Sequence, residues 1–396
     1  MKILLAHNYY LQPGGEDVAF RTEIELLQEH GHTVQVYEEH NSRIDQLNPV
    51  SVAIETIWSE SSRQKLIAIL NQFRPDVVHF QNTFPLISPS AYYACRRVNA
   101  SVVQTLQNYR LLCPAATLYR DGHICEECLG KPVTLPGIVH ACYHSSYIHS
   151  GALTAMLTAH RVIGTWQNRV DAYIALTEFA REKFIEGGLP ANKIYLKPNV
   201  TSFRPSQKQG HGEFALFAGR LTEEKGLRTL LSAWRLLNYP LKIAGDGPLS
   251  NYVLQELEKN EHKSVQYLGR LSHQEVSTLM KNARVLIFPS EWYEGFPLTI
   301  AESLACGLPI IASDIGSQAE IIQDGYSGLH FRAGDEGDLR EKVQWVFQNP
   351  ADVLRMSENA LYVYQEKYTP EKNYEELINI YSRALENREL GKTLGD

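Results

Sequence analysis

Two carboxylates, Glu294 and Glu302, bracket the stretch Gly295-Phe296-Pro297-Leu298-Thr299-Ile300-Ala301, seven residues long. Pro297 suits the first turn of a helix, where a missing N–H costs nothing. The N–H groups that follow have no partner inside the helix and point outward with the positive end of its dipole. The spacing predicts an anion site with a carboxylate on each flank. A phosphate would sit on the amides, and the carboxylates would hold hydroxyl groups on either side. That is the layout of a sugar nucleotide. Taken singly, Glu294 reads as a solvated loop residue and Glu302 as an ordinary helix-surface residue; a second group upstream gives the pair its weight.

Phe214 to Ala218 is an apolar run, read as a buried strand. It ends in Gly219-Arg220-Leu221-Thr222-Glu223-Glu224-Lys225-Gly226, and a helical pattern follows through Leu227, Leu230, Leu231, Trp234 and Leu237. Arg220 and Lys225 therefore lie at the carboxyl end of a strand and just before a helix. In open α/β sheets ligands bind at that edge. Arg presents a planar fork to phosphate oxygens and Lys a compact point charge. A solvated basic pair on the surface is the plain alternative.

The two motifs together resemble the retaining glycosyltransferases of family 4, within the group 1 glycosyl transferases of the GT-B superfamily. Gly245-Asp246-Gly247-Pro248, after the strand Leu241–Ala244, and Pro13-Gly14-Gly15-Glu16 near the N-terminus fit the same pattern. The resemblance covers nearly the whole chain in the expected order. It implies an α/β protein of GT-B architecture, two Rossmann-like doubly wound domains facing across a cleft. The donor would lie on the C-terminal domain and the acceptor on the N-terminal one.

The resemblance also implies transfer of a hexose from a UDP- or GDP-sugar, with retention, to a glycan or lipid-linked acceptor. Arg220 and Lys225 would stabilise the leaving diphosphate, helped by the helix N-terminus after Phe296. Glu302 would bind the ribose hydroxyls, and Glu294 would lie near the donor sugar as the third catalytic residue, without acting as a nucleophile. Gly14, Gly15, Gln107, Leu271, Gly295, Phe296, Leu298 and Thr299 complete the donor-binding set. Leu271 would hold the base through its backbone, and Gly14 and Gly15 would let amides approach closely. Without an Asp-x-Asp motif in a metal-binding context, basic residues and the helix dipole take the place of a catalytic metal.

Three positions depart from the family pattern. Gln107, in Thr105-Leu106-Gln107-Asn108-Tyr109-Arg110, stands where many relatives have His. It can donate and accept hydrogen bonds but cannot exchange a proton near neutral pH. His79-Phe80-Gln81-Asn82 stands in place of His-x-His-Asn; His79 itself reads as a hydrogen-bonded core histidine. Pro297 replaces a frequent Gly and removes an amide donor. These departures keep two other functions open: a nucleotide-sugar-binding protein with weak or lost turnover, and a GT-B epimerase or hydrolase.

The elements that must position these residues follow from the alternation of strand and helix signals. Ile3–Ala6, Val34–Tyr37, Val77–Phe80, Ser101–Gln104 and Tyr173–Leu176 are the first-half strands, with a helix around Glu16–His30 stopped by Gly31. The second half adds Val265–Leu268, Val285–Phe288, Ile310–Ala312 and Leu329–Phe331. At 396 residues the chain exceeds what one core usually supports. The expected division is 1–200, a polar linker at 201–212, 213–370, and a helical segment 371–396 that the family's architecture returns to the first domain.

Residues 107–150 interrupt the alternation with a loop-rich insertion holding Cys113, Cys125, Cys128 and Cys142. The C-x-x-C pair and the outer two cysteines predict either a structural zinc, with His140 and His144 as alternative ligands, or reduced, partly buried thiols. Cys95 and Cys306 read as small core residues. Ala152 to Trp166 carries Leu153, Met156, Leu157, Val162 and Ile163, a stripe that packs into the core or lies on a membrane surface. The net charge of −7 argues against nucleic acid as the main partner. No apolar run reaches a membrane span, and the first seven residues read as a strand rather than a signal peptide. A cytoplasmic protein is expected, with peripheral contact at the inner face of the membrane as an option.

Overall fold

A computed structural model describes residues 1–12, 14–206, 212–259 and 263–393. Pro13, residues 207–211 of the expected linker, and 394–396 of the expected last segment lie outside the described residues. Contacts divide the chain into two units. The first comprises Met1–Leu118, Cys125–Val200 and Pro370 onward; the second comprises Tyr119–Ile124 and Thr201–Thr369.

In the first unit the strands are β1 (Lys2–Tyr9), β2 (Thr33–His40), β3 (Val77–Asn82) and β4 (Ser101–Thr105). A short antiparallel hairpin, β5 (Tyr119–Arg120) and β6 (His123–Ile124), groups with the second unit. The first sheet is completed by β7 (Ala172–Ala175) and β8 (Ile194–Leu196). Its order is β2-β1-β3-β4-β7-β8, parallel throughout. The chain winds from β1 to β2 in one direction and from β3 onward in the other, so the switch point lies between β1 and β3. Central strands buried on both faces read as unbroken apolar runs, which is why they were visible in the sequence. The three residues of β8 give no such run and were missed, as were the helices Pro49–Ile57 and Glu60–Phe73.

The second unit repeats the plan. Its strands are β9 (Ala215–Ala218), β10 (Leu241–Ala244), β11 (Val265–Gly269), β12 (Val285–Phe288), β13 (Ile310–Ser313) and β14 (Gly328–Phe331). The order is β11-β10-β9-β12-β13-β14, again all parallel, with the switch point between β9 and β12. Each unit has its own core. In the second, Phe217, Leu231, Trp234, Ile243 and Ile287 pack with Leu339 and Val343 from the helix Glu336–Gln348.

The last helix, Pro370–Thr393, packs against β4 and β7. Its Leu377, Ile380, Tyr381 and Ala384 join Ile3, Leu5, Phe20 and Val103 in the first unit's core. Polar groups add to this packing. Lys197 Nζ lies 2.9 Å from Glu23 Oε2 and 3.2 Å from Asn373 Oδ1, all three buried. Burial alone would raise the Glu23 carboxyl, but Lys197 and His79 outweigh it and hold Glu23 well below the usual carboxylate range. His79 Nδ1 is 2.9 Å from Tyr381 Oη and its Nε2 2.7 Å from Thr105 Oγ1, the hydrogen-bonded core histidine expected.

Candidate functional site

The switch point of the second sheet places the loop after β9 beside the loop after β12. Gly226 makes the approach feasible. Its φ is +69°, and a Cβ there would lie 1.9 Å from the Pro289 carbonyl oxygen. Gly245 allows a similar approach, since its Cβ would lie 1.8 Å from the Gly219 oxygen. Hydrogen bonds then join the two loops. The Glu291 amide donates to the Glu224 carbonyl at 2.8 Å, and the Thr229 hydroxyl donates to Glu291 Oε1 at 2.5 Å.

This stitching brings together two of the residues singled out from sequence. Lys225 Nζ lies 2.6 Å from Glu294 Oε1, and the Ser290 hydroxyl donates to the same oxygen at 2.6 Å. Glu294 is buried, and the Lys225 ammonium lies 5.6 Å from the centre of the Trp292 ring. Glu294 is therefore a charge-paired group inside the loop rather than a solvated one. Arg220 leaves the end of the neighbouring β9 and is exposed, a free guanidinium among the described residues.

The helix after β12 is Leu298–Ala305, one residue later than expected. Pro297 is its N-cap, with no side chain capping the first turn. The leading N–H groups, at Leu298 and Thr299, are thus left to solvent or a ligand. Seven of the eight helix residues are buried, Glu302 among them. Burial is the sole cause that pushes the Glu302 carboxyl up to about 7. His273 Nδ1 is 3.8 Å from Glu302 Oε1. His273 opens a helix capped by Ser272 and Glu275, and Leu271, half-buried, lies two residues before it. Gly295 is half-buried, and Phe296 is buried with its ring 5.7 Å from that of Tyr368. Ser290 and His273 were not singled out from sequence. The Ser-x-x-Glu capping box was a legible signal for His273; Ser290 had none.

The first unit places the remaining residues at its own switch point. Gly14 caps the helix Gly15–Glu29, and its N–H already donates to Asp17 Oδ2 at 2.8 Å. Gln107 is buried and fully engaged. Its Nε2 donates to Gln81 Oε1 at 2.7 Å and to Asn199 Oδ1 at 3.2 Å, and its Oε1 accepts from Asn199 Nδ2 at 2.9 Å.

The zinc expectation is not supported by this geometry. Among the described residues no three His, Cys, Asp or Glu side chains are grouped to hold a metal ion. Cys113 and Cys128 are buried, while Cys125 and Cys142 are half-buried. Burial, with Cys113, Cys142 and Cys125 adding, pushes the Cys128 thiol up to about 12. The insertion is ordered by other means. The helix Leu135–Val139 packs on Tyr147–Val162, and the Thr134 hydroxyl donates to Thr154 Oγ1 at 3.1 Å. The stripe Ala152–Trp166 is largely core: Leu153, Met156, Leu157 and Trp166 are buried, and Val162 and Ile163 are exposed. Among the described residues no helix is long and apolar enough to cross a membrane.

Residues 200–363 match the family of glycosyl transferases group 1. An uncharacterized glycosyltransferase of Methanocaldococcus jannaschii is 33% identical over 151 residues, 38% of this chain and 43% of that protein. The O-antigen chain mannosyltransferase C of Escherichia coli is 29% identical over 177 residues, 44% and 48% of the two chains. The chain thus spans less than half the length of either curated relative. A glycosyltransferase from Rickettsia africae superposes with a TM-score of 0.69 at 17% identity, covering 98% of this chain and 99% of that one. Anabaena HepE in complex with UDP-glucose gives 0.68 at 15% identity, covering 96% and 100%. The second unit thus resembles the group 1 glycosyl transferases over most of its length, and the two parallel α/β units share the GT-B fold of these structures.

Proposed function

We propose that the protein transfers a hexose from a nucleoside-diphosphate sugar, with retention at the anomeric carbon, to a glycan or lipid-linked acceptor. The observation that carries the reading is the β9/β12 switch point. There Arg220, the Lys225–Glu294 pair, the uncapped helix start at Leu298 and the buried Glu302 all leave the carboxyl ends of two adjacent strands. Arg220, Lys225 and the free amides neutralise the leaving diphosphate, so no metal ion is needed for that charge. Glu302 accepts from the ribose hydroxyls, and Glu294, oriented by Lys225 and Ser290, faces the sugar. The complex of Anabaena HepE with UDP-glucose and the mannosyltransferase of Escherichia coli support a nucleotide-sugar donor, with UDP and GDP both open.

In this reading the enzyme is cytoplasmic. A lipid-linked acceptor would bring it to the inner face of the membrane, where the exposed Tyr147, Ile148, Val162 and Ile163 supply an apolar edge. The fully engaged Gln107 favours a second reading, a protein that binds the nucleotide sugar without turning it over. Incubation with UDP- and GDP-hexoses and candidate acceptors separates the two. Release of the nucleoside diphosphate, with the product keeping the donor's anomeric configuration by NMR, is expected. Tight binding without release would favour the second reading, and an inverted product would overturn retention.

A further inference from the structure

A continuous run of buried polar side chains crosses the first unit, from Asn373 on the last helix to Gln107 just beyond β4. The Lys197 ammonium donates to Asn373 Oδ1 at 3.2 Å and to Glu23 Oε2 at 2.9 Å. The other oxygen of Glu23 accepts from Gln81 Nε2 at 2.8 Å and lies 3.1 Å from His79 Nδ1. Gln81 Oε1 accepts from Gln107 Nε2 at 2.7 Å. Gln107 then pairs amide to amide with Asn199: its Nε2 donates to Asn199 Oδ1 at 3.2 Å, and its Oε1 accepts from Asn199 Nδ2 at 2.9 Å. From Asn373 to Asn199 no member of the run is more than 7% exposed, so water does not compete for these bonds.

The two ends of a side-chain amide are nearly alike in shape and opposite in hydrogen bonding, so its neighbours decide which way a buried one faces. Here the decision starts at Glu23. Against burial, Lys197 and His79 keep its carboxyl ionised. An ionised carboxylate only accepts. Gln81 must therefore turn its NH2 to Glu23 and its oxygen to Gln107. Gln107 must in turn give an N–H to Gln81. Its second N–H goes to Asn199, so both hydrogens are used. Among the described residues only a lone pair of Gln107 Oε1 is left over, and Gln107 can only accept from a group that reaches it.

We propose that Glu23 is a positioning residue: its carboxylate, relayed through Gln81, fixes the Gln107 amide as a hydrogen-bond acceptor at the carboxyl end of β4. The proposal rests on the nucleotide-sugar reading above only for what meets Gln107, a hydroxyl of the sugar; the relay itself stands apart from that reading.

The test uses the whole chain with 15N in its glutamine side chains. Exchange of the Gln107 NH2 hydrogens with water is followed by NMR, the signal being assigned by its loss in Q107L. Affinities for UDP-glucose, GDP-mannose, UDP and GDP are measured beside it. Q81M cuts the relay and leaves the Lys197–Glu23 pair whole. E23Q/K197M removes the carboxylate without stranding a buried ammonium. Both variants are expected to speed exchange at Gln107 ~10-fold or more. Both are expected to weaken binding of the nucleotide sugar ~10-fold, with the bare nucleotide held within about twofold of wild type. Melting curves check that each variant is folded, and Q81M decides alone if the double variant is not. Unchanged exchange at Gln107 in a folded variant overturns the relay. Faster exchange with unchanged sugar-nucleotide affinity, or with sugar nucleotide and bare nucleotide weakened together, overturns the positioning role. A wild type that binds neither UDP-glucose nor GDP-mannose overturns the nucleotide-sugar reading, and the exchange rates still decide the relay.

Discussion

Lys225 and Glu294 illustrate how burial changes the meaning of a residue. An exposed Lys–Glu pair contributes about 0–1 kcal/mol. Here the carboxylate is buried and also accepts from Ser290. Removing Lys225 takes the neighbouring cation away from that buried charge. Lys225→Ala is predicted to destabilise the protein by about 2–4 kcal/mol in chemical denaturation. In the proposed mechanism it also lowers nucleotide-sugar turnover at least ~100-fold. Turnover near wild type would show that the pair is only structural. Glu302 gives a pH signature with a definite sign. Its folded-state value of about 7 lies above the ordinary carboxyl value of 4.5, so the native state binds the extra proton between them. Stability from this group is full below pH ~4.5 and is lost as pH rises through about 7. Glu302→Gln is therefore predicted to be more stable than wild type at pH 8, by about 1–3 kcal/mol, with the gap closing toward pH 5. In the proposed mechanism donor binding runs the other way: the ionised form accepts from ribose hydroxyls, and affinity is predicted to rise through the same range. A constant stability gap between pH 5 and 8 would contradict the buried position.

At the scale of elements, the site depends on two loops that meet only because Gly226 has no side chain. Gly226→Ala adds a strained φ of +69° to a contact of 1.9 Å with the Pro289 oxygen. The predicted cost is at least ~2 kcal/mol, with turnover falling as Lys225 moves from Glu294. A variant with wild-type stability and turnover would mean that the loops are held otherwise. The insertion carries a different prediction. Elemental analysis of the purified, folded protein is expected to find no stoichiometric zinc, because its cysteines do not group as ligands. One zinc per chain would contradict that. What was legible in the sequence follows from the same elements. Buried parallel strands such as β9 and β12 announce themselves as apolar runs, and the residues after them could be placed at a sheet edge. The partners of those residues could not. Nothing in the spacing shows that Lys225 reaches Glu294, sixty-nine positions away, or that Gln107 is locked by Gln81 and Asn199. Such contacts depend on strand order, and periodicity does not encode it. The cysteine spacing could not decide between zinc and reduced thiols, because C-x-x-C fixes only local separation, whereas a metal site also requires the side chains to converge.

At the scale of the whole molecule, the chain builds the same device twice: a six-stranded parallel sheet with a switch point, and a polar cluster at the carboxyl ends of the strands beside it. The last helix returns to the first unit through apolar packing and through the Lys197–Glu23–Asn373 cluster. In the proposed mechanism donor recognition falls to the second unit. The most direct test is therefore a thermal-shift titration of the intact protein with UDP- and GDP-sugars, run in parallel on Arg220→Ala and Glu302→Ala. A ligand that binds only the native state raises the melting temperature in proportion to its affinity. Stabilisation of the wild type by a nucleotide sugar, lost or strongly reduced in both variants, is the predicted result. Stabilisation that persists undiminished in both would contradict a donor site built on β9 and β12.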